Sequence, residues 1–376
     1  MKRIAINTGG GDAPGLNAVI RSIVLASHQL GWECWGIRNG FNGILEPEKY
    51  KSQGGGIKPL SLHSVKGITH LGGTILGTTN KGNPLKFPIQ QEDGSFIEID
   101  RSQEIINSLK DHGIDALISI GGDGSMNIAH ALAQKDFQVI GVPKTIDNDL
   151  DNTDATFGFD TAVEFATNCI DRLHSTAEAH ERIMVVEVMG RYAGWIALHA
   201  GVAGTADVIL LPEIPYDINA VAKKIFEREK SGSHFSIIVI AEGAKPLNGN
   251  VSIIGKNIGQ AERLGGAGEK VAKELEILTG KETRVVVLGH LQRGGMPTAN
   301  DRLLSLRFGA AAVRAIAKGM TDMMVSLHSP NVECIPLADA IGKRKTVSVY
   351  HDIILTAREL GIYFGDELSS IQEQNI

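Results

Sequence analysis

Short apolar runs alternate along this chain with stretches in which apolar residues recur every three to four positions. A short run is typical of a buried strand, and the longer periodicity indicates an amphipathic helix. The predicted strands cover residues 3–7, 33–37, 116–120, 138–143, 182–188, 208–211, 236–241 and 284–288. The predicted helices cover residues 16–30, 102–112, 126–134, 161–179, 192–202, 218–230, 262–278, 299–318 and 347–359. This alternation predicts an α/β protein with parallel sheets.

Most of the predicted strands end in glycine together with a charged or polar residue. The clearest cases are residues 8–15, 121–125 and 144–149. Open parallel sheets bind ligands at the carboxyl ends of their strands. We therefore expect two doubly wound, Rossmann-like parallel sheets, with the active site in the cleft between them.

Three regions are less regular. Residues 72–81 are interpreted as another glycine-framed strand end, and residues 83–100 as an excursion with a hairpin around residues 92–95. Residues 38–64 are expected to be irregular, and the pattern weakens after residue 330. The polar residues 366–376 are expected to fray.

The composition of the chain argues against several classes of function. The length of 376 residues indicates about two domains, and a net charge of −6 argues against nucleic-acid binding. Three cysteines without metal-type spacing are expected to be reduced thiols of a cytoplasmic protein. The chain starts directly with a strand, which argues against a signal peptide, and no apolar run approaches ~20 residues, so no membrane span is expected.

The loop at residues 121–125 is a candidate phosphate and metal site. Its glycines expose backbone N–H groups that can hold a polyphosphate, and the Asp123 carboxylate can bind the Mg²⁺ that neutralises it. The alternative is that Asp123 only caps the following helix.

The loop at residues 144–149 is a candidate base site. Asp147 and Asp149 are two residues apart, so in an extended segment both carboxylates point to the same side. Two like charges at this spacing can raise one pKa, which suits a general base. The alternative is a solvated acidic turn, but Lys144 and Thr145 beside the pair favour function.

Four arginines and a histidine lie at the ends of predicted strands: Arg182, Arg191, Arg284, Arg293 and His290. In a protein of negative net charge, this clustering indicates recognition of a phosphorylated substrate. Glu242, at another strand end, can accept a hydrogen bond from a substrate hydroxyl or cap the next turn. A metal-assisted donor loop beside an acidic base and arginines predicts phosphoryl transfer.

The motifs resemble those of the 6-phosphofructokinase family. The matching segments, in the family's order, are GGDAPG at 10–15, GGDGS at 121–125, PKTIDND at 143–149, MGR at 189–191, AEG at 241–243 and LGHLQRGG at 288–295. The likeness spans about residues 2–320, although GGDG alone also occurs in lipid and NAD kinases.

The resemblance implies a role for each site residue. The donor side would hold ATP and Mg²⁺, with Asp123 as the metal ligand, through Gly11, Asn80, Lys81, Gly122, Asp123, Gly124 and Ser125. Asp147 would be the base for the 1-hydroxyl of fructose 6-phosphate, assisted by Thr145, Asp149, Arg191 and Lys144. The sugar phosphate would contact Met189, Gly190, Arg191, Glu242, His290 and Arg293, and in the family Arg182 and Arg284 come from a neighbouring subunit.

Within this family, two residues indicate whether the phosphoryl donor is ATP or pyrophosphate. Pyrophosphate-using members carry Asp where this chain has Gly124, and they carry a lysine matching Lys144, as some ATP-using members also do. Gly124 leaves space for the α-phosphate of ATP, whereas Lys144 only adds charge, so the sequence favours ATP. At the adenine site, Asn80 replaces the family's arginine, and Lys81 beside it is a point charge rather than a fork.

The resemblance thus predicts an ATP-dependent 6-phosphofructokinase of glycolysis, active as a homodimer or homotetramer. The alternatives are a pyrophosphate-dependent enzyme and, remotely, an inactive regulatory subunit, which the presence of Asp123, Asp147 and Arg191 disfavours. The expected donor domain comprises residues 1–158 with about 292–342, and the expected fructose 6-phosphate domain comprises residues 159–291 with about 343–376.

Overall fold

The computed structural model describes residues 1–255 and 262–366. Its strands are β1 (Arg3–Thr8), β2 (Glu33–Ile37), β3 (Ile57–Leu60), β4 (Phe87–Gln90), β5 (Phe96–Ile99), β6 (Ala116–Gly121), β7 (Gln138–Pro143), β8 (Ile183–Val188), β9 (Val208–Leu210), β10 (Ser236–Ala241), β11 (Ile253–Gly255), β12 (Arg263–Leu264), β13 (Thr283–Val287), β14 (Met323–His328) and β15 (Asn331–Pro336).

The helices are α1 (Leu16–Gln29), α2 (Asn42–Leu45), α3 (Ser102–Asp111), α4 (Asp123–Ala133), α5 (Phe159–Ala179), α6 (Trp195–Ala203), α7 (Ile218–Lys230), α8 (Ala267–Thr279), α9 (Ala299–Ala317), α10 (Leu337–Ala340) and α11 (Asp352–Glu359). Short 3-10 helices cover Pro47–Gln53, Pro84–Lys86 and Gly289–Arg293. Within the described ranges, no helix is both long enough and apolar enough to cross a bilayer.

A seven-stranded sheet has the order β15-β14-β7-β6-β1-β2-β3. Its five central strands run parallel, and the edge strands β3 and β15 are antiparallel to their neighbours. Buried side chains fill both faces of this sheet, as the apolar strands require. The expected doubly wound parallel sheet is confirmed, with an antiparallel strand added at each edge.

A four-stranded sheet has the order β13-β8-β10-β9 and is entirely parallel. Helices α5 and α6 cover one face through an apolar cluster that also includes Ala13 and Ile146 from the segments after β1 and β7. Helices α7 and α8 cover the other face. The core of this sheet thus extends to the ligand-binding ends of the first sheet.

The strand predicted at residues 72–81 is wrong, because this segment forms bends and turns. Asn17 of α1 holds it from one side, donating to the carbonyls of Leu71 and Gly72. The Thr8 hydroxyl donates to the Gly77 carbonyl over 2.7 Å. Since neighbouring elements satisfy its backbone groups, the segment does not pair as a strand.

Three predicted helices begin too early, and one of them, predicted from residue 192, begins at Trp195. The helix predicted from residue 262 begins at Ala267, because Gly265 and Gly266 adopt φ values of 145° and 78° that break the helix after the short strand β12. The helix predicted from residue 347 begins at Asp352, where the His351 ring accepts a hydrogen bond from the Ile353 amide. The residues before it form a strap that contacts the site described below.

The remaining differences concern the irregular regions. The predicted hairpin within residues 83–100 is confirmed as β4 and β5. Strand β3 lies in the part expected to be irregular, β15 lies where the pattern weakens, and β14 lies just before that point, where no element was predicted. Residues 366–376 were expected to fray, and all of them except residue 366 lie outside the described residues.

Candidate active site

The two loops of the predicted site lie side by side because they follow adjacent parallel strands. Strands β6 and β7 pair in register up to Gly121 and Pro143. The pairing continues one step further, as the Lys144 amide donates to the Gly121 carbonyl over 2.9 Å. Residues 122–125, here called the donor loop, and residues 144–149, the base loop, therefore diverge from a common point.

The glycine-rich turn after β1 packs against the donor loop. The Gly9 amide donates to the Ile120 carbonyl over 2.9 Å. A side chain at Gly9 or Gly121 would collide with the Ser125 hydroxyl, so both positions need the bare backbone. The Thr78 hydroxyl donates to the Gly10 carbonyl over 2.7 Å, which fixes the outer edge of the turn.

The donor loop is open at its tip. Asp123 begins α4 and is exposed, and one of its carboxylate oxygens accepts from the Gly342 amide over 3.1 Å. A methyl group at Gly124 would meet no atom within 4 Å. The described residues contain no cluster of three or more metal-ligating side chains. One carboxylate suits Mg²⁺ that arrives bound to substrate phosphates, and it does not suit a dedicated protein cage.

Asp147 is the most enclosed carboxylate of the base loop, with a relative exposure of 4 %. Its amide donates to the Thr145 hydroxyl over 3.0 Å, and its Oδ1 has no hydrogen-bond partner in the structure. Burial raises its pKa, while the charges of Arg293 and Arg191 oppose that rise. A buried, unpartnered oxygen with a raised pKa is suited to accepting a proton.

Asp149 is the second carboxylate of the base loop. Burial, followed by repulsion from Asp147, raises its pKa to about 6. Arg344 is its cationic neighbour, with a guanidinium nitrogen 4.0 Å from the carboxylate. The structure therefore brings both predicted acids together and makes them electrostatically dependent.

Lys144 and Arg293 bring positive charge to the turn after β1. The Lys144 ammonium donates to the Gly11 carbonyl, and burial followed by repulsion from Arg293 lowers its pKa to about 8. The Arg293 guanidinium donates to the Asp12 carbonyl over 2.9 Å. A side chain at Gly11 would collide with this guanidinium. Arg293, predicted to bind the sugar phosphate, thus reaches the donor-side backbone as well.

Arg191 and Glu242 lie on the side of the second sheet. Arg191 follows β8 with φ of 54°, and its amide donates to the Glu242 carboxylate over 3.0 Å. Gly243 must be glycine, because a side chain there would overlap the Arg191 carbonyl. Burial raises the pKa of Glu242 to about 7, and Asp147 and Glu187 add to this.

The cleft between the two sheets has a volume of about 680 Å³. The Gln292 side chain accepts from the Met189 amide over 2.8 Å, so the 3-10 helix with His290 is held against the end of β8. Predicted site residues that line the cleft are Gly11, Asn80, Met189, Arg191, Glu242, His290 and Arg293. Lys81 and Gly190 are next to this lining in sequence, and Lys81 is exposed.

Arg182 and Arg284 are not in the cleft of their own chain. Arg182 precedes β8 and Arg284 is near the start of β13, so both lie at the amino ends of strands whose carboxyl ends face the cleft. Six strand residues span roughly 20 Å. Both arginines contact the carboxylate of Glu282. Any role at an active site would require a second chain.

Glu187 was missed by the sequence reasoning. It is buried, lines the cleft and accepts from the Gly268 amide over 2.7 Å. Its signal was available as an acidic residue inside the apolar strand β8. Arg344 and Lys345, which contact the base loop from nearly 200 positions away, have no comparable signal in the sequence.

The fold and the site define a phosphotransferase that acts on a hydroxyl group, with a glycine-rich loop beside a buried carboxylate. The chain belongs to the phosphofructokinase family, whose description matches residues 3–316.

Relatives of this chain use two donors. An ATP-dependent 6-phosphofructokinase of Chloroflexus aurantiacus is 52% identical over 367 residues, covering 98% of this chain and 99% of the relative. A pyrophosphate–fructose 6-phosphate 1-phosphotransferase of Amycolatopsis mediterranei is 46% identical over 366 residues, covering 96% and 100%. Among solved structures, a Pichia pastoris phosphofructokinase in the T-state has a TM-score of 0.76 at 29% identity, covering 90% of this chain and 35% of that one.

Proposed function

We propose that this chain is an ATP-dependent 6-phosphofructokinase, which transfers the γ-phosphoryl group of ATP to the 1-hydroxyl of fructose 6-phosphate. The observation that carries the proposal is Asp147, a buried carboxylate with a raised pKa and one unpartnered oxygen, next to an open phosphate-binding loop. The hydroxyl proton passes to Asp147 as the C1 oxygen bonds to phosphorus. The bond between phosphorus and the β-phosphate oxygen breaks, and ADP leaves.

The charge that develops on the transferring phosphoryl group requires fixed cations. Lys144, at the start of the base loop, and Arg191 and Arg293, outside it, all act electrostatically on Asp147. Placed there before reaction, these cations stabilise the transition state without rearrangement. In the proposal, Arg191 faces the transferring group, Lys144 adds charge, and Asp149 supports the base.

The sugar phosphate is proposed to occupy the cleft on the side of the second sheet. Glu242 and the backbone of Met189 and Gly190 would contact the sugar, while His290 and Arg293 would bind the 6-phosphate. All but Gly190 line the cleft. Asp123 would hold the Mg²⁺ that accompanies ATP, and when bound this ion neutralises phosphate charge.

Gly124 supports ATP as the donor. No atom lies within 4 Å of where its Cβ would be, so no side chain at this position stands in the way of the α-phosphate of ATP. A carboxylate at this point would fill the space and repel the α-phosphate. The second candidate is a pyrophosphate-dependent enzyme. The Amycolatopsis relative and the presence of Lys144 favour it, and overall identity alone does not separate the two donors.

The proposal extends to assembly and location. Arg182 and Arg284 would complete the 6-phosphate site of a second copy, in a homodimer or homotetramer.

The chain is proposed to divide into two domains. The first sheet would be the core of a donor domain of residues 1–158 with about 292–342. The second sheet would be the core of a sugar domain of residues 159–291 with about 343–376. The enzyme is placed in the cytoplasm, where its free thiols Cys34, Cys169 and Cys334 would stay reduced.

A donor assay tests the proposal. The purified chain is supplied with fructose 6-phosphate and either MgATP or Mg²⁺ with pyrophosphate, and fructose 1,6-bisphosphate is measured. We expect turnover with ATP and at least about tenfold lower kcat/KM with pyrophosphate. Turnover with pyrophosphate and none with ATP would contradict the proposed donor, and no turnover with either would contradict the activity.

A further inference from the structure

The base loop and its continuation have an unfavourable backbone. Asn148 and Asn152 have φ values of 51° and 56°, in the left-handed region that non-glycine residues adopt rarely. Such conformations persist only where surrounding contacts impose them. The Asn148 side chain supplies one local contact, as its Oδ1 accepts from the Thr156 amide over 3.1 Å. The question is which other group imposes this shape.

Lys345 makes four distant hydrogen bonds to this segment, and residues of β14 make others, such as the Leu327 amide, which donates to the Thr153 hydroxyl over 3.1 Å. The Lys345 ammonium donates to the carbonyls of Thr153 and Asp154, each over 2.8 Å, and to Asn148 Oδ1 over 3.3 Å. Its backbone amide donates to the Asp149 carbonyl over 3.0 Å. Lys345 therefore contacts the base loop at Asn148 and Asp149. It also contacts the turn that follows, at Thr153 and Asp154.

The strap that carries Lys345, residues 342–347, is anchored to the elements of the second sheet. The Trp195 indole, at the start of α6, donates to the Lys345 carbonyl over 2.9 Å, and the ammonium lies 5.5 Å from the ring centroid. The Val347 amide donates over 2.9 Å to Glu213, which also accepts from the Gly194 amide. The base loop is thus fixed by way of Lys345 to the side that carries the sugar site.

The same strap touches the donor loop. The Gly342 amide donates to Asp123, the proposed metal ligand, over 3.1 Å. Arg344 lies 4.7 Å from the ring centroid of Tyr192, next to Arg191. Residues 342–345 therefore run from the donor carboxylate, past the base loop, to the sugar side.

We propose that Lys345 is a positioning residue, which holds the base loop so that Asp147 meets the attacking hydroxyl. The inference rests on the proposed function. Burial lowers the pKa of Lys345 to about 8, so a cation at this position is unfavourable for folding. The ammonium donates three hydrogen bonds to the base loop and to the turn beyond it, and these bonds offset part of that cost.

The test compares Lys345→Met with Lys343→Met. Lys343 is exposed on the same strap and is a matched control for loss of one lysine charge. For Lys345→Met we expect kcat to fall by about 10- to 100-fold, because a small displacement of a reacting group has effects of that size. KM for fructose 6-phosphate should change less than about threefold, since other residues bind the sugar phosphate. Lys343→Met should keep both constants.

A mutant cycle separates positioning of Asp147 from a general loss of structure. If Lys345 acts through the base, Lys345→Met should cause no further loss of turnover in an Asp147→Ala background. A multiplicative loss there, or unchanged kcat in Lys345→Met, would overturn the inference. Should the methionine variant not fold, Lys345→Gln, which keeps a donor, is expected to lose kcat to a smaller extent, and unchanged kcat would again overturn it.

The outcome is distinguishable from failure of the proposed function. Absence of turnover in the wild-type chain with ATP and fructose 6-phosphate would contradict the function. Wild-type turnover that depends on Asp147 but not on Lys345 would contradict only the inference.

Discussion

The donor loop and the base loop begin at adjacent residues of one sheet, yet their construction is opposite. In the donor loop, Asp123 and Gly124 are exposed and glycine removes side chains. In the base loop, Thr145, Asp147 and Asn148 are each less than 10 % exposed and the charged groups are buried together. In the proposed function, the donor would bring its own charge and metal, so its loop would supply space and backbone N–H groups. The acceptor hydroxyl would be neutral, so the protein would supply the charge in advance.

The largest effect is expected where the preformed charge is removed. Asp147→Ala should lower kcat by about 1,000-fold, the middle of the range for a general base. Fructose 6-phosphate should still bind, because the cleft residues that hold it are unchanged. Initial rates and calorimetric titration of the sugar phosphate check both points. Turnover within about tenfold of wild type would show that another group is the base.

The next largest effect is expected when a side chain fills the open space beside Gly124 in the donor loop. Gly124→Asp should lower kcat/KM for ATP by about 100-fold, through charge repulsion and lost space. Gly124→Ala is the matched control, and it should stay within about fivefold because the added methyl meets no protein atom. Steady-state kinetics with varied ATP decide this. Equal kcat/KM in the aspartate and glycine forms would show that Gly124 does not select the donor.

A smaller effect concerns the sugar side. Glu242→Gln keeps an acceptor for the Arg191 amide but loses the carboxylate charge, so KM for fructose 6-phosphate should rise by about tenfold. The control is Glu213→Gln, another partly buried carboxylate with a backbone N–H partner, which does not line the cleft. Its KM for the sugar phosphate should not change. A rise of the same size in both variants would point to a general packing effect.

The smallest effect is expected in the pH dependence of kcat/KM, which reports on the coupling of Asp147 and Asp149 in the base loop. The base must be ionised, so kcat/KM should rise with pH through the pKa of the coupled Asp147–Asp149 pair. Asp149→Asn removes a negative neighbour, which makes Asp147 easier to ionise. The acid limb should therefore move to lower pH, by about half a unit. Rates between pH 5 and 9 measure it, and a limb that stays in place or moves upward would contradict the coupling.

Sequence reasoning reached the parts of this site that short-range patterns encode. Strands β7 and β10 and helix α7 were predicted with the bounds that the structure shows. The βαβ unit around β6 and β7 placed the donor loop and the base loop at one edge of a sheet. The motifs then supplied the roles, which remain predictions for the individual residues.

What sequence reasoning missed depends on contacts between distant segments. Residues 72–81 resemble a strand, but Asn17 and Thr8 satisfy their backbone groups. Strand β14 pairs with β7, far away in the chain. Lys345 reaches Asn148 across 197 positions. No local periodicity reports such contacts, since tertiary structure alone creates them.

The donor loop and the base loop are proposed to act on the two partners of one reaction. A crystal structure of the chain with fructose 6-phosphate and a non-hydrolysable ATP analogue can show this arrangement. We predict that the 1-hydroxyl oxygen lies within about 2.6–3.2 Å of Asp147 Oδ1, with the triphosphate along the donor loop. A sugar hydroxyl held by a different group, with Asp147 Oδ1 still unpartnered, would contradict the account.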